Sequence, residues 1–204
     1  MNIVNQSYEI LTVNGGKSIL RNIEVIGRTC YKSENRITID SSEKFVAMLI
    51  KNGHESVLEH EYITVRFICD RGISHELVRH RLASFTQEST RFCNYSKDKF
   101  DNQITVINQE FVKDSALYIH WSTACRNAEL SYFSMLKCGA TPQEARSVLP
   151  TCLKTELIIT ANLREWRLIF KQRTSKAAHP QMRMLMTGLL TELRDMIPVV
   201  FDDI

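Results

Sequence analysis

Thirteen residues at positions 79–91, RHRLASFTQESTR, concentrate the side chains of this chain that are best suited to binding an anion. They include three arginines, one histidine, four residues with a side-chain hydroxyl and a single acid, Glu88. Guanidinium groups bind phosphate in a bidentate manner, and a polar loop can add backbone N–H groups to the same ligand. The chemistry of the segment therefore favours an anion such as a nucleotide.

The spacing of the arginines limits how they can act together. Arg79 and Arg81 are two residues apart, so on a helix they point to nearly opposite sides and serve two ligands, or one ligand and one structural carboxylate. Arg91 lies beyond the hydroxyl-rich stretch and can fold back towards them. The alternatives are a solvated basic surface, or a nucleic-acid-binding module that uses the three arginines. Such a module predicts a wider basic face and more aromatic residues than Phe85 and Phe92.

The composition of the whole chain excludes several classes of protein. Its 204 residues are 44% hydrophobic and 24% charged, which is typical of a globular domain, and a net charge of +3 does not indicate wholesale nucleic-acid binding. No apolar run reaches the roughly 20 residues that span a bilayer, and the N-terminus does not resemble a secretory signal. We therefore expect a cytoplasmic protein with no membrane partner.

Cysteines and histidines give no sign of a metal site. The six cysteines include no C-x-x-C pair, and we expect Cys69 and Cys125 to be small core residues. His54 and His60 flank Glu55 and Glu59, but this spacing is not H-E-x-x-H, and residues six apart do not share a helix face. The sequence predicts no metal.

Alternation, periodicity and capping residues predict the elements that position the anion-binding segment. Strands are predicted in the first dozen residues, at 61–69 and at 103–107, and an apolar run covers 152–161. Helices are predicted at residues 19–30, from Asp40 to Gly53, and in a short segment that leads into the RHR stretch. Four more are predicted at 109–137, from Thr141 onwards, at 162–174 and at 180–197. The Ser/Thr-rich segment 84–96 is expected to be irregular.

Particular side chains are predicted to cap or bury these helices. Ser74 is expected to cap the short helix before the RHR stretch, and capping boxes are predicted at Asp40–Glu43 and at Thr141–Glu144. The helix from Asp40 is expected to bury Phe45, Met48 and Leu49. The long helix is expected to bury Leu117, Trp121, Ala124, Ala128, Tyr132 and Met135. The predicted fold class is mixed α/β (α+β): one domain over residues 1–204, in which a small, mostly antiparallel sheet is flanked by helices, including the long helix and a C-terminal helical part.

Five segments together resemble the flavin-dependent thymidylate synthase family. RHRLASFTQESTR is similar to the family's RHR-x7-S signature, and Gly53–His60, GHESVLEH, is similar to its GHES-x-x-EH segment. Further similarity lies in Glu144–Pro150, EARSVLP, in Thr160–Arg164, TANLR, and in Arg173–Gln181, RTSKAAHPQ. The segments follow in family order between about residues 53 and 181, which makes the resemblance far more specific than a single RHR.

The resemblance implies an activity, cofactors and an assembly. Family members methylate C5 of dUMP with methylenetetrahydrofolate as the carbon source, without a cysteine nucleophile. FAD, reduced by NADPH, supplies the hydride and relays the methylene carbon. The resemblance also implies a homotetramer whose active sites are shared between subunits.

The resemblance assigns roles to residues at matching positions. Arg173 is implied to be the catalytic residue that activates the pyrimidine. Cofactor contacts are implied for Ser56, Arg79, His80, Arg81, Gln87, Asn162, Leu163, Arg164 and His179. Substrate contacts are implied for Glu76, Leu77, Val78, Arg79, Gln87, Glu88, Ser89, Thr90, Arg91, Arg146 and Arg173. Glu76 stands where a glutamine is usual in the family, and Thr86-Gln87 stands where Asn-Glu is common.

Overall fold

A computed structural model describes residues 1–12, 14–109 and 115–204, without the side chains of Lys99 and Ser115. The strands are β1 (Asn2–Val4), β2 (Ser7–Ile10), β3 (Tyr62–Asp70), β4 (Ala83–Gln87), β5 (Thr105–Ile107) and β6 (Lys154–Asn162). The helices are α1 (Gly16–Thr29), α2 (Ser41–Lys51), α3 (Arg71–Leu77), α4 (Ser115–Lys137), α5 (Pro142–Ala145), α6 (Leu163–Arg173), α7 (Pro180–Met196) and α8 (Pro198–Phe201). The mixed α/β class with a small antiparallel sheet is confirmed.

The main sheet has four strands in the order β2-β3-β6-β4, while β1 pairs separately and in parallel with β5. Alternate side chains of β3 and β6 are buried, as expected where one face of a sheet covers a core. Each of these strands runs directly into a helix. Asp70 accepts the Ile73 N–H at 2.7 Å at the start of α3, and Asn162 accepts the Glu165 N–H at 2.8 Å at the start of α6. Both helices therefore begin at a fixed point where a strand ends.

The described chain divides into two compact units made of interleaved segments. The first unit contains Met1–Ser7, Phe67–Arg79 and Phe85–Ile158. The second unit contains Tyr8–Arg66, His80–Ser84 and Ile159–Ile204. Strands β3, β4 and β6 each contribute residues to both units. That residues 1–204 form a single domain stays a prediction.

The core of the first unit is built from β1, β5, α4 and the segment before β6. Tyr132 and Cys125 are the buried residues that α4 contributes, and Tyr95 packs against Tyr132 with ring centroids 5.6 Å apart. The predicted stripe on this helix was partly wrong, because Leu117 is 52% exposed and Ala124 is also exposed. Residue 109 precedes the helix, and residues 110–114 of the predicted span lie outside the described residues.

The core of the second unit centres on α6. Trp166 is fully buried, stacks on Phe170 with ring centroids 5.6 Å apart, and donates its indole N–H to the Ile63 carbonyl at 3.0 Å. On the same helix, the buried guanidinium of Arg167 donates to both carboxylate oxygens of Asp203, at 2.6 and 2.7 Å, and to the Val200 carbonyl. These contacts fix α6 between the sheet and the C-terminal helices.

Several local predictions were wrong because tertiary partners override local capping. Asp40 makes no side-chain cap bond; the neighbouring Ser41 hydroxyl donates instead to the buried carboxylate of Glu24 at 2.9 Å. Asp70, and not Ser74, caps α3, because the strand that precedes this helix ends at Asp70. On α2, Met48 is 39% exposed, while Val46 and Leu49 are buried.

Two strand predictions also need correction. The first dozen residues form two short strands, β1 and β2, in place of one. Segment 84–96 is not irregular throughout, because β4 occupies its first residues and continues the sheet beside β6. The capping box at Thr141–Glu144 is confirmed, with the Thr141 N–H donating to Glu144 Oε2 at 2.7 Å.

Gly16 is required where the start of α1 meets the end of α7. A Cβ atom at this position would fall against the Met196 carbonyl oxygen and 3.0 Å from its carbonyl carbon, whereas a Cβ at Gly15 would meet nothing within 4 Å. Because the obstacle is backbone, we expect Gly16→Ala to lower the free energy of unfolding by about 2–3 kcal/mol. Gly15→Ala is the matched control and should cost under about 1 kcal/mol. Equal urea midpoints for the two variants would contradict this packing.

Candidate active site

The residues that the resemblance assigned to the site divide between the two units. The first unit holds most of the implied substrate contacts: Glu76, Leu77, Val78, Arg79, Gln87, Glu88, Ser89, Thr90, Arg91 and Arg146. The second unit holds the catalytic arginine and most of the implied cofactor contacts: Ser56, His80, Arg81, Asn162, Leu163, Arg164, Arg173 and His179.

Gln87 and Glu88, at the end of β4, are held by the first unit itself. The Gln87 amide donates to the Ser74 hydroxyl at 2.8 Å and to the Thr155 hydroxyl at 3.3 Å. The Glu88 N–H donates to the Glu156 carbonyl at 2.9 Å. The backbone from which residues 89–91 continue is therefore fixed by β6 and α3.

The Glu88 side chain interacts with the protein itself. Its carboxylate accepts from Lys154 Nζ at 3.1 Å and from the Tyr95 hydroxyl at 3.4 Å. The pKa of Tyr95 is raised, mainly by burial and secondly by the nearby Glu88 carboxylate. Its hydroxyl therefore stays protonated. These three side chains line a cavity of about 400 Å³. Glu88 contributes its carboxylate to this cluster, while its backbone carbonyl accepts from Arg71 at 3.2 Å.

Thr90 and Arg146 meet in a second cavity of the first unit. The Arg146 guanidinium donates to the Thr90 hydroxyl at 3.2 Å, which joins two residues that are 56 positions apart in the sequence. The cavity measures about 310 Å³ and is lined by Arg71, His75, Thr90, Arg146, Ser147, Leu149, Pro150, Thr151 and Leu153. This is a polar, cationic pocket that can bind an anion. Sequence reasoning missed Arg71 and His75.

The other implied substrate contacts of the first unit vary in exposure. Leu77 is fully buried, so any contact that it makes with a ligand has to come from its backbone. Val78 and Arg79 are exposed, and Glu76 is partly buried. Ser89 accepts the Arg91 N–H at 3.3 Å through its hydroxyl, and the exposed Arg91 guanidinium lies 5.4 Å from the centroid of the Phe92 ring.

In the second unit, a buried histidine fixes the predicted catalytic arginine. Arg173 Nε donates to His80 Nε2 at 3.0 Å, and His80 Nδ1 lies 3.6 Å from Glu165 Oε1. His80 is only 6% exposed and Glu165 only 5%. Because Nε2 accepts from Arg173, the neutral imidazole carries its proton on Nδ1, which faces the carboxylate. Sequence reasoning identified Arg173 and His80 but missed Glu165, which has no counterpart among the quoted motifs.

Burial and charge keep His80 neutral. Burial is the larger cause and the Arg173 guanidinium the smaller, and together they lower the pKa of His80 from 6.5 to about 4. Burial also raises the pKa of Glu165. At neutral pH the Arg173 guanidinium therefore rests against an uncharged acceptor.

The remaining predicted residues of the second unit surround a third cavity or start helices. The cavity measures about 460 Å³ and is lined by Glu55, Glu59, Leu82, Asn162, Arg164, Glu165, Arg167, Leu168 and Lys171. Arg164 pairs with Glu59 at 2.6 Å, and Leu163 is fully buried. Asn162 caps α6, and His179 Nδ1 accepts the Gln181 N–H at 3.3 Å to cap α7. Ser56 and Arg81 are exposed.

The carboxylates near His54 and His60 are occupied by arginines. Glu55 pairs with Arg167 at 3.1 Å and Glu59 with Arg164, while the His54 ring contacts the Tyr31 hydroxyl at 3.2 Å. Within residues 1–12, 14–109 and 115–204, no cluster of three or more His, Cys, Asp or Glu side chains could hold a metal ion. The same described ranges contain no helix with the length and apolar character needed to cross a membrane.

The lowered pKa of His80 makes a prediction about stability and pH. Between pH 6.5 and 4 the unfolded chain binds a proton at this histidine that the folded chain does not bind. The contribution of the neutral His80 to the free energy of unfolding is therefore complete above pH 6.5. It is lost as the pH falls towards 4, and the loss amounts to about 1–3 kcal/mol. His80→Gln keeps an acceptor for Arg173 and removes the titration, so its free energy of unfolding should fall less across this range.

Urea titrations of the wild type and of His80→Gln at several pH values measure the difference. His120→Gln, at an exposed position of α4, is the control and should show the wild-type pH dependence. Parallel pH profiles for the wild type and His80→Gln would show that His80 is not buried in its neutral form.

Comparison with known proteins identifies the family of this chain. A family profile described as "Thymidylate synthase complementing protein" matches residues 16–199. A flavin-dependent thymidylate synthase of Pyrococcus furiosus is 32% identical over 178 residues, which cover 85% of this chain and 72% of that protein. A flavin-dependent thymidylate synthase of Pyrococcus abyssi is 32% identical over 163 residues, which cover 79% of this chain and 66% of that protein. The chain thus spans about two thirds to three quarters of the length of these two relatives.

A solved structure shows the same fold. A UMP/dUMP methylase from Streptomyces cacaoi, bound with 5-Br dUMP, superposes with a TM-score of 0.81 over 99% of this chain and 96% of that chain. The two sequences are 18% identical, so this likeness establishes the fold alone. The profile match and the sequence identities show that this chain belongs to the thymidylate synthase complementing protein family, which includes the flavin-dependent thymidylate synthases.

Proposed function

We propose that this protein is a flavin-dependent thymidylate synthase, which converts dUMP to dTMP by reductive methylation at C5. Membership of the family supports the reaction class. The observation that carries the proposal is the partly buried hydrogen bond from Arg173 to His80, because it presents a fixed cation beside a neutral imidazole. The carbon donor is methylenetetrahydrofolate, and the reductant is NADPH.

Arg173 acts on the pyrimidine as a stabiliser of negative charge. The ring must gain electron density to become nucleophilic at C5, and a guanidinium at its carbonyl edge stabilises that charge as it develops. Its Nε–H donates to His80, so the plane of the guanidinium is set before the substrate binds. Because His80 is neutral, this contact places no second charge beside the guanidinium.

The chemistry of the second unit fits a flavin. Its 460 Å³ cavity places Arg164 and Lys171 beside the apolar side chains Leu82 and Leu168, which are 74% and 45% exposed. The apolar side chains suit a ligand with a broad ring system, and Lys171 adds a cation, since Arg164 is already paired with Glu59. The residues of this unit that would hold it are Ser56, His80, Arg81, Asn162, Leu163, Arg164 and His179. When bound, FAD supplies the reducing equivalents that NADPH delivers.

The nucleotide is bound by residues of the first unit. Glu76, Leu77, Val78, Arg79, the 87–91 segment and Arg146 hold dUMP, and the Arg146–Thr90 contact supports this set. The fully buried Leu77 contributes through its backbone. Gln87 and Glu88 act mainly by fixing the segment, since their side chains bond to the protein.

The protein is further proposed to be a cytoplasmic homotetramer with active sites shared between subunits. Leu117, Ile119 and Leu130 of α4 are 52%, 59% and 64% exposed, and apolar side chains of this size on one helix are typical of a buried interface. A reaction on dUMP and a folate requires neither a nucleic acid nor a membrane as a partner.

Arg173→Gln tests the function and the role of the arginine together. With dUMP tritiated at C5, methylenetetrahydrofolate, FAD and NADPH, the wild type should release tritium and form dTMP. Arg173→Gln should reduce turnover at saturating dUMP by about 10²–10³-fold, because one donor to the developing charge is lost. Arg21→Gln, at an exposed arginine of α1, is the control and should keep wild-type turnover.

Two outcomes of this assay would count against the proposal. A wild-type protein that binds FAD but forms no dTMP would overturn the reaction, and binding of oligonucleotides by a colourless protein would favour the nucleic-acid module. Turnover near the wild-type value in Arg173→Gln would overturn the role of Arg173 alone.

No cysteine is proposed to act as a nucleophile, and Cys152 provides the sharpest test. Burial raises the pKa of Cys69 to about 12, while a hydrogen bond from the Cys125 thiol, 3.4 Å away, is the main cause that lowers the pKa of Cys152. Cys152 is therefore the thiol that most resembles an activated one. Cys152→Ser should keep turnover within about threefold of the wild type, in line with a substitution outside the chemistry.

Cys30→Ser, at an exposed position, is the control for the substitution itself. If Cys152→Ser folds, binds FAD and dUMP as the wild type does and yet forms no dTMP, a thiol participates in the reaction after all.

A further inference from the structure

The 310 Å³ cavity of the first unit contains more positive charge than the family motifs account for. Two guanidiniums line it, those of Arg71 and Arg146, together with His75 and the hydroxyls of Thr90, Ser147 and Thr151. No carboxylate is among its lining residues. Arg146 belongs to the motif set, whereas Arg71 precedes the RHR stretch by eight positions and belongs to none of the motifs.

Arg71 is held rigidly by the residues around it. It is the first residue of α3, and its backbone N–H donates to the carbonyls of Thr151, at 3.0 Å, and Leu153, at 3.2 Å. Its Nη1 donates to the Glu88 carbonyl at 3.2 Å and to the Thr155 hydroxyl at 3.3 Å. The guanidinium is therefore fixed through one nitrogen, and the donors on Nε and Nη2 have no partner among the described residues.

The Arg71 side chain is partly buried and forms no ion pair with a carboxylate of the described residues. The acids next to it in the sequence and on the segment that it contacts bond to other groups. Asp70 accepts from the Ile73 N–H and from the Gln109 amide at 3.1 Å. The Glu88 carboxylate accepts from Lys154 and Tyr95. Removing an unpaired charge from water is costly, and an anionic ligand would offset that cost.

Arg146, which lines the same cavity, resembles Arg71 in its contacts. It donates to the Thr90 hydroxyl and pairs with no carboxylate of the described residues. Two unpaired guanidiniums and several hydroxyls in one small cavity match the oxygens of a phosphate, which accepts hydrogen bonds from several directions. A neutral pyrimidine would not offset two positive charges.

We propose that Arg71 is a further substrate-binding residue, which binds the 5′-phosphate of the nucleotide together with Arg146. That the nucleotide is dUMP rests on the proposed function. Arg71 contacts the phosphate with its Nε and Nη2 donors, while its bond to the Glu88 carbonyl positions the segment that leads to Thr90. One side chain thus binds the ligand and fixes the loop around it.

The affinities of the FAD-loaded enzyme for dUMP and for deoxyuridine, measured by calorimetry, separate these two roles. Arg71→Met keeps the length of the side chain and removes the charge. It should weaken dUMP binding about tenfold to a hundredfold more than it weakens deoxyuridine binding, because the charge-assisted hydrogen bonds to the phosphate are lost in addition to the bond that positions the loop. Arg71→Lys restores a charge without the planar fork and should recover part of the dUMP affinity. Arg126→Met, at an exposed arginine of α4, should bind both compounds as the wild type does.

Each other result overturns the assignment. Equal weakening of dUMP and deoxyuridine binding in Arg71→Met would show that Arg71 only positions the loop, and unchanged dUMP affinity would show that it does neither. If Arg71→Met does not fold, wild-type dUMP affinity in Arg71→Lys would also overturn a role for the guanidinium fork. Failure of the wild type itself to bind dUMP would instead overturn the proposed function on which the identity of the nucleotide rests.

Discussion

The hydrogen bond from Arg173 to His80 exists only while His80 is neutral, and the arrangement of the second unit maintains that condition. A protonated imidazole has no lone pair to accept from Arg173 Nε, and it would repel the guanidinium. Burial at the start of the His80–Ser84 segment therefore does more than fill the core. It favours the neutral imidazole, and the contacts with Arg173 and Glu165 then select the tautomer with its proton on Nδ1.

The arginines of this protein fall into two groups by the partners they have. Arg28, Arg164 and Arg167 pair with carboxylates at 2.6 Å, and these pairs connect elements or turns of the same unit. Arg71 and Arg146 instead donate to neutral oxygens and have no acidic partner among the described residues. Arg71 and Arg146 also line the same cavity, so their positive charges are available to a ligand bound there.

Long elements with a clear hydrophobic pattern could be predicted from the sequence, and local choices that depend on tertiary partners could not. β3, α6 and α7 differ from their predicted bounds by at most one residue at either end, because alternation or helical periodicity is strong in each. β4 was missed because Ser84 and Thr86 favour an irregular backbone there, whereas pairing with β6 determines the conformation. The motif residues His80 and Arg173 were predicted, but their contact joins positions 93 apart, which no local pattern reveals. Glu165 and Arg71 were missed for the same reason.

Glu88 links two cavities of the first unit through its side chain and its backbone carbonyl. Its carboxylate lines the 400 Å³ cavity together with Lys154 and Tyr95, while its backbone carbonyl holds the guanidinium that lines the 310 Å³ cavity. The backbone of Glu88 is also held by β6, because its N–H donates to the Glu156 carbonyl at 2.9 Å. A shift of the Glu88 backbone, from whichever side it is imposed, changes the shape of both cavities at once.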